Sequence, residues 1–164
     1  MKKVFLAALV ASLPMAASAN WVGGVDYAQL SDDTSDLEVG SLVFNAGYQF
    51  DQQNGFVLTP SFHLGFGVND DSIGPIDIKV KSLYGAEVRG QFNFEQGAYA
   101  YLAPRYTNFD IEAEFAGNTA SNDEWQFGAA LGLGYQFTDT LGAELAYTSY
   151  EDADQWSLGL RFNF

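Results

Sequence analysis

His63 is the single histidine of the chain, and Ser61 stands two positions before it. A serine, a histidine and a carboxylate within hydrogen-bond reach are the parts of an acyl-transfer site. On an extended strand, however, two residues at this spacing share a face with Cβ atoms about 6–7 Å apart. The spacing alone does not bring nucleophile to base. Carboxylates are the second chemical material. They gather in polar stretches, as at Asp32, Asp33, Asp70, Asp71, Asp123 and Glu124. Clustered oxygens suit Ca²⁺ or Mg²⁺, but the spacing matches no defined Ca²⁺ loop. The third material is a small set of cations, Lys79, Lys81, Arg89, Arg105 and Arg161, all of them inside alternating segments.

Other chemistries are excluded by composition. The chain has no Cys, so no disulfide and no thiolate metal site forms. No glycine-rich phosphate loop and no metal-ligand cluster is present, so neither cofactor nor metal is expected. A net charge of -14 argues against nucleic acid as a partner.

The elements that hold these residues are strands. In the last ten residues, Trp156, Leu158, Leu160, Phe162 and Phe164 alternate with Gln155, Ser157, Gly159, Arg161 and Asn163. Residues two apart share a face of a strand, so one wall is aromatic and the other polar. About ten residues of such alternation, tilted, cross a bilayer as a β-strand. Similar alternation recurs about eight times, near 21–28, 42–50, 56–67, 78–94, 98–109, 125–137, 141–148 and 155–164. In the third of these, Phe56, Leu58, Pro60, Phe62, Leu64 and Phe66 point outward and Ser61 and His63 inward. In the fourth, Ile78, Val80, Tyr84, Ala86 and Val88 oppose Lys79, Lys81, Glu87 and Arg89. In the fifth, an inward Arg105 sets Leu102, Pro104 and Tyr106 outward and Tyr101 inward, and Pro104 predicts a bulge or a membrane-edge position.

Residues 31–40, 69–77 and 110–124 read as long acidic loops, and the turns between them as short. That asymmetry belongs to bacterial outer-membrane barrels. An open sheet in lipid would leave edge backbone groups unpaired, each costing several kcal/mol. The expectation is therefore an all-β fold, an eight-stranded antiparallel up-and-down transmembrane β-barrel. An Arg on the lipid face costs ~2–4 kcal/mol near the midplane, so the cations face in. A charge in a narrow lumen needs a partner. This predicts an interior network of Glu87, Arg89, Arg105, Glu144 and Arg161, plugging a lumen wide enough only for side chains.

Residues 1–19 read as a signal peptide: Lys2 and Lys3, a short apolar run, Pro14, then Ala17-Ser18-Ala19 as cleavage site before Asn20. Residues 20–164 form the barrel domain. Losing both lysines would take the net charge from -14 to -16.

With this leader, the strand pattern and the final Gly159, Phe162 and Phe164, the chain resembles the small Gram-negative outer-membrane β-barrels of the OmpA transmembrane domain and OmpX type. The resemblance implies a monomer in the cell outer membrane, exported through the periplasm with chaperones. It implies that Gly159, Phe162 and Phe164 are read by the barrel assembly machinery. The inward Glu87, Arg89, Glu144 and Arg161 are similar to the interior salt-bridge cluster of the OmpA domain. No periplasmic peptidoglycan-binding domain follows Phe164 in the sequence, so a cell-wall tether is not implied. The leading expectation is a non-enzymatic barrel, structural or acting through acidic surface loops beside lipid and lipopolysaccharide. There the carboxylates form a solvated rim or, on a sharper reading, bridge divalent cations to lipopolysaccharide phosphates. The alternatives are a small porin or transporter, and a lipid A-modifying enzyme using His63 and Ser61, whose inward direction speaks against it.

Overall fold

The computed structural model describes residues 20–32, 35–51, 55–73, 76–115 and 118–164. The leader, with Ala17 and Ala19, lies outside them. Among the described residues there are ten strands: β1 (Trp21–Asp32), β2 (Ser35–Tyr48), β3 (Phe50–Asp51), β4 (Phe56–Asn69), β5 (Asp71–Ile73), β6 (Ile76–Asn93), β7 (Ala98–Phe115), β8 (Asn118–Gln136), β9 (Leu141–Tyr150) and β10 (Asp154–Asn163). Eight are long and form the wall, with β3 and β5 as short additions. Every pairing is antiparallel. The order runs β4-β2-β1-β10-β9-β8-β7-β6, and β4 also pairs with β6, which closes the ring. Among the described residues no sheet edge is left in the lipid-facing belt, as a bilayer demands.

Burial is the reverse of a soluble protein's. Phe62 is 76% exposed and Leu64 60%, while Thr59, Ser61, His63, Arg89, Gln91, Thr107 and Arg161 are buried. Apolar side chains meet lipid and polar ones meet each other. At the end where the chain begins, Trp21, Tyr48 and Phe50 pack edge to face, and Phe92–Phe94 and Tyr135–Phe137 continue that belt. The β6–β7 connection is a single turn over Glu95–Gly97. Gly97 has φ +87° there, and a Cβ would meet the Gln136 carbonyl.

Pro104 does not make a bulge. β6 and β7 keep one register from Glu87↔Arg105 to Gly90↔Leu102, and only the two pairs between them are missing. Phe94 N donates to Ala98 O, which fixes the even residues of β6 as those whose backbone groups face β7. Val88 therefore faces Pro104, which has no N–H to give. Pro60 does the same to Tyr48. The ladder with β4 stops at Gly47↔Ser61 and resumes at Phe50↔Leu58. Each proline lies on the lipid face and removes one bond without shifting the strand.

The bulge is elsewhere, in β6 between Val80 and Ser82. It reverses the parity above it. Val80 turns inward and is buried, while the Lys79 and Lys81 side chains are 39% and 56% exposed. The expectation that both lysines line the lumen and Val80 faces lipid is thereby corrected. The long acidic loops are corrected too. The β7–β8 ladder runs unbroken to Phe115↔Asn118, so residues expected as loop continue the wall. β1 and β2 pair up to Asp32↔Ser35, and β5 folds onto the start of β6.

Candidate functional site

The inward-facing side chains lie in layers along the lumen. Toward the end bearing the strand extensions, Ala28, Val39, Val43, Val80, Leu83, Phe109 and Tyr150 form an apolar cluster, with Leu30 and Ile111 packed against it. Phe109 meets Tyr150 edge to face at 5.1 Å. Val80 reaches this layer because the bulge turns it inward.

Below lies a polar layer. Arg105 Nη2 donates to Glu87 Oε2, and Ser61 Oγ donates to Glu87 Oε1 at 3.1 Å. Asn45 Nδ2 donates to Asp26 at 2.8 Å. His63 Nε2 bonds Thr107 Oγ1 at 2.9 Å. Ser61 and His63 thus face inward with separate partners, and the two do not form a nucleophile–base pair.

Next comes the second ion cluster. Arg89 grips Glu144 with two nitrogens, at 2.8 and 2.7 Å. Tyr99 Oη donates to the same carboxylate at 3.0 Å, and Arg161 Nη1 lies 3.5 Å from it. The Arg89 guanidinium lies over the Tyr101 ring, 3.5 Å from its centroid, an attraction that strengthens away from water. A Cβ on Gly132 or Gly134 would run into the Tyr101 or Tyr99 ring, so glycine on β8 makes room for these tyrosines. The five residues expected as a network therefore divide into Glu87–Arg105 and Arg89–Glu144–Arg161. With Asp26, three carboxyl groups and three guanidiniums line the same space. The space among them is a cavity of about 30 Å³, touching Asp26, Ser61, Glu87, Arg105 and Glu144, room for roughly two waters.

The rim carries a second, exposed set of charges. Lys79 Nζ is 2.6 Å from Glu112 and Lys81 Nζ 3.5 Å from Asp110. The hydrogen bond from Lys79 holds the Glu112 carboxyl below its usual range. Asp71 accepts the Glu38 and Ser72 backbone N–H groups, each at 2.8 Å, and these two bonds lower its pKa. Among the described residues no group of three or more His, Asp or Glu side chains is arranged to hold a metal ion.

The chain's last strand closes onto its first. Phe164 N donates to Trp21 O at 2.9 Å, and Phe162 pairs with Gly23. Gly159 faces the lumen opposite Asp26, where a Cβ would meet that carboxylate. Asn20 O accepts Gln49 N at 2.7 Å.

Two signals in the sequence point to what it left unread. Leu83 is apolar at an inward position, the mark of an apolar upper layer. Ile111 and Ala113 alternate with Asp110, Glu112 and Glu114, the mark of a strand that continues.

The family described as outer membrane protein beta-barrel domain matches residues 4–164. No curated protein matches significantly. Among solved structures, Ail, the attachment invasion locus protein of Yersinia pestis, is similar with a TM-score of 0.63 and 15% identity, over 89% of this chain and 97% of that one. A further structure of Ail holds the heparin analogue sucrose octasulfate. Neisserial surface protein A has a TM-score of 0.60 and 17% identity, over 90% and 98% of the two chains. The N-terminal β-barrel domain of Pseudomonas aeruginosa OprF has a TM-score of 0.57 and 17% identity, over 87% and 97%. At these identities the likeness is one of fold.

Proposed function

This chain belongs to the outer membrane protein beta-barrel domain family and is a protein of the cell outer membrane, and from that premise we propose that it works as a sealed, non-enzymatic barrel whose extracellular strand extensions engage partners outside the cell. The observation that supports this reading is the layering of inward side chains. Among the described residues, an apolar layer from Ala28 to Tyr150 tops two ion clusters and a tyrosine layer, which speaks against a wide aqueous path for a solute. A porin needs such a path, and porins reach it with about sixteen or more strands. His63 and Ser61 are committed to Thr107 and Glu87 and face away from lipid, which supports a role without catalysis.

The aromatic wall contacts outer-membrane lipid and lipopolysaccharide. The assembly machinery reads Gly159, Phe162 and Phe164 after periplasmic chaperones deliver the chain, which acts as a monomer. The rim distinguishes this chain's partners from a polyanion of the sucrose octasulfate kind. Asp110, Glu112, Glu114, Asp123 and Glu124 would repel one, and the two nearby lysines are already paired.

The test is a barrel with residues 110–123 replaced by a short turn, expressed in a strain lacking the wild-type protein. Any surface-attachment phenotype of the deletion should persist with the trimmed barrel, while solute uptake is the same in the deletion, trimmed and complemented strains. An uptake defect that the trimmed barrel restores would instead favour a small transporter.

A further inference from the structure

The ring is closed within the lipid belt but open above it. β9 ends at Tyr150, opposite Gly128, whereas β8 continues outward to Asn118. Trp125 stacks on Tyr106 at 4.8 Å and meets Tyr84 at 5.4 Å, a cluster that marks the membrane interface. Beyond it, residues 118–124 pair with β7 on one side only. Phe137 N donates to Leu141 O across β8 and β9, so the odd residues of β8 are those whose backbone groups face away from β7. Among the described residues, Thr119, Ser121 and Asp123 therefore present N–H and C=O groups along an open edge at strand spacing.

We propose that this edge is a docking site for an extended, cationic polypeptide segment of another protein, added as a further strand beside β8. This rests on the surface-interaction reading above and names its partner class. Backbone donors and acceptors in strand spacing are matched by another strand. No proline, no lysine and no bulge interrupts residues 118–124, and the charges within them are the carboxylates of Asp123 and Glu124. Thr119, Ala120, Ser121 and Asn122 are small enough for a second backbone to approach.

Charge selects the occupant. Asp123 and Glu124 lie on β8 and Glu114 on the neighbouring strand, with no Lys or Arg on either strand above the membrane. Glu151 and Asp152, in the turn after β9, stand at the foot of the edge. A second copy is disfavoured. In one bilayer every β8 runs from outside to periplasm, so two such edges meet parallel, and in symmetric register Asp123 and Glu124 face their own copies. Like charges directly opposite each other destabilise a pair of strands.

The experiment uses the protein in zwitterionic nanodiscs and an eight-residue peptide of alternating Lys and Thr. A control peptide is N-methylated at every amide, which keeps its charge and removes the donors of both strand edges. Ser121→Pro deletes an N–H from the open edge and leaves the β7 ladder intact. Thr119→Pro does the same one step further out. Losing an edge hydrogen bond and strand geometry should weaken peptide binding about ten-fold or more in each variant, with the melting midpoint unchanged, and the N-methylated peptide should bind no better. Binding within two-fold of wild type by both proline variants, or equal binding of the N-methylated peptide, would overturn the proposal. So would self-association of the wild type that Ser121→Pro abolishes. Were trimming of residues 110–123 to remove a surface phenotype that Ser121→Pro retains, the docked strand would fall and the broader reading would stand.

Discussion

Two sets of ion pairs of similar geometry lie in this molecule a few turns of ladder apart. Arg89–Glu144 closes to 2.7 Å in the lumen, and Lys79–Glu112 to 2.6 Å on the rim. Distance does not separate them; surroundings do. The Arg89 and Glu144 side chains are 4% and 9% exposed, against 39% and 18% for Lys79 and Glu112. A buried pair is not a large net gain over a well-packed apolar one, but stranding one partner is strongly unfavourable. An exposed pair contributes little either way. The lumen charges therefore specify one arrangement of the wall, and the rim charges leave the extensions free to respond to their surroundings.

The largest effect belongs to Glu144, which serves two guanidiniums. Glu144→Gln should lower stability by ~3–5 kcal/mol, read by urea unfolding in lipid vesicles. A loss under ~1 kcal/mol would erase the distinction between the two regions. Arg105→Met, which strands Glu87, comes next at about 3 kcal/mol. The double variant Glu87→Leu/Arg105→Met should recover most of that loss, because it removes both charges together. Additive losses in this cycle would mean that the pair is not coupled.

Pro104→Ala tests the wall rather than its contents. It restores the N–H that Val88 lacks, a gain of about 0.5–1.5 kcal/mol, against an unfolded-chain entropy cost of about 0.4–1 kcal/mol. The net change should be small and favourable, and the new amide at 104 should exchange slowly with solvent. The smallest effect is at the rim. Lys79→Ala should change stability by less than ~1 kcal/mol. Acid should loosen this region first. Bonds from the Glu38 and Ser72 amides and from Lys79 lower the pKa values of Asp71 and Glu112. Their stabilisation is present above the unfolded carboxylate pKa and is lost as pH falls through the folded one. Faster exchange at the Glu38 and Ser72 amides, with the barrel core unchanged, is the expected signature.

The faces of the strands were legible because lipid and lumen impose period two on every residue between them. β10 reads correctly from Trp156 to Phe164, and Arg105 alone fixes the phase of β7. The bulge at Lys81 was not legible, because Ile78 and Val80 continue the parity of Tyr84 and Ala86. One inserted residue changes the face without changing that pattern, and only Leu83 betrays it. The extensions were misread because polar composition resembles loop, although Asp110 to Glu114 alternate with Ile111 and Ala113. Pro104 lacks the bulge, one of the two outcomes expected there, for another reason. Its missing N–H can be absorbed as a skipped bond as well as by a bulge, and the register of the partner strand decides which. The interior residues could be named from charge alone. Their division into two clusters depends on strand stagger, which no single strand contains.

The most direct measurement is single-channel recording from the purified protein in a planar bilayer. The proposed sealing of the lumen by the layers from Tyr150 to Tyr99 predicts a quiet membrane, without long-lived conductance steps. Large, stable channels from the wild-type barrel would contradict the sealed lumen and the functional reading that rests on it.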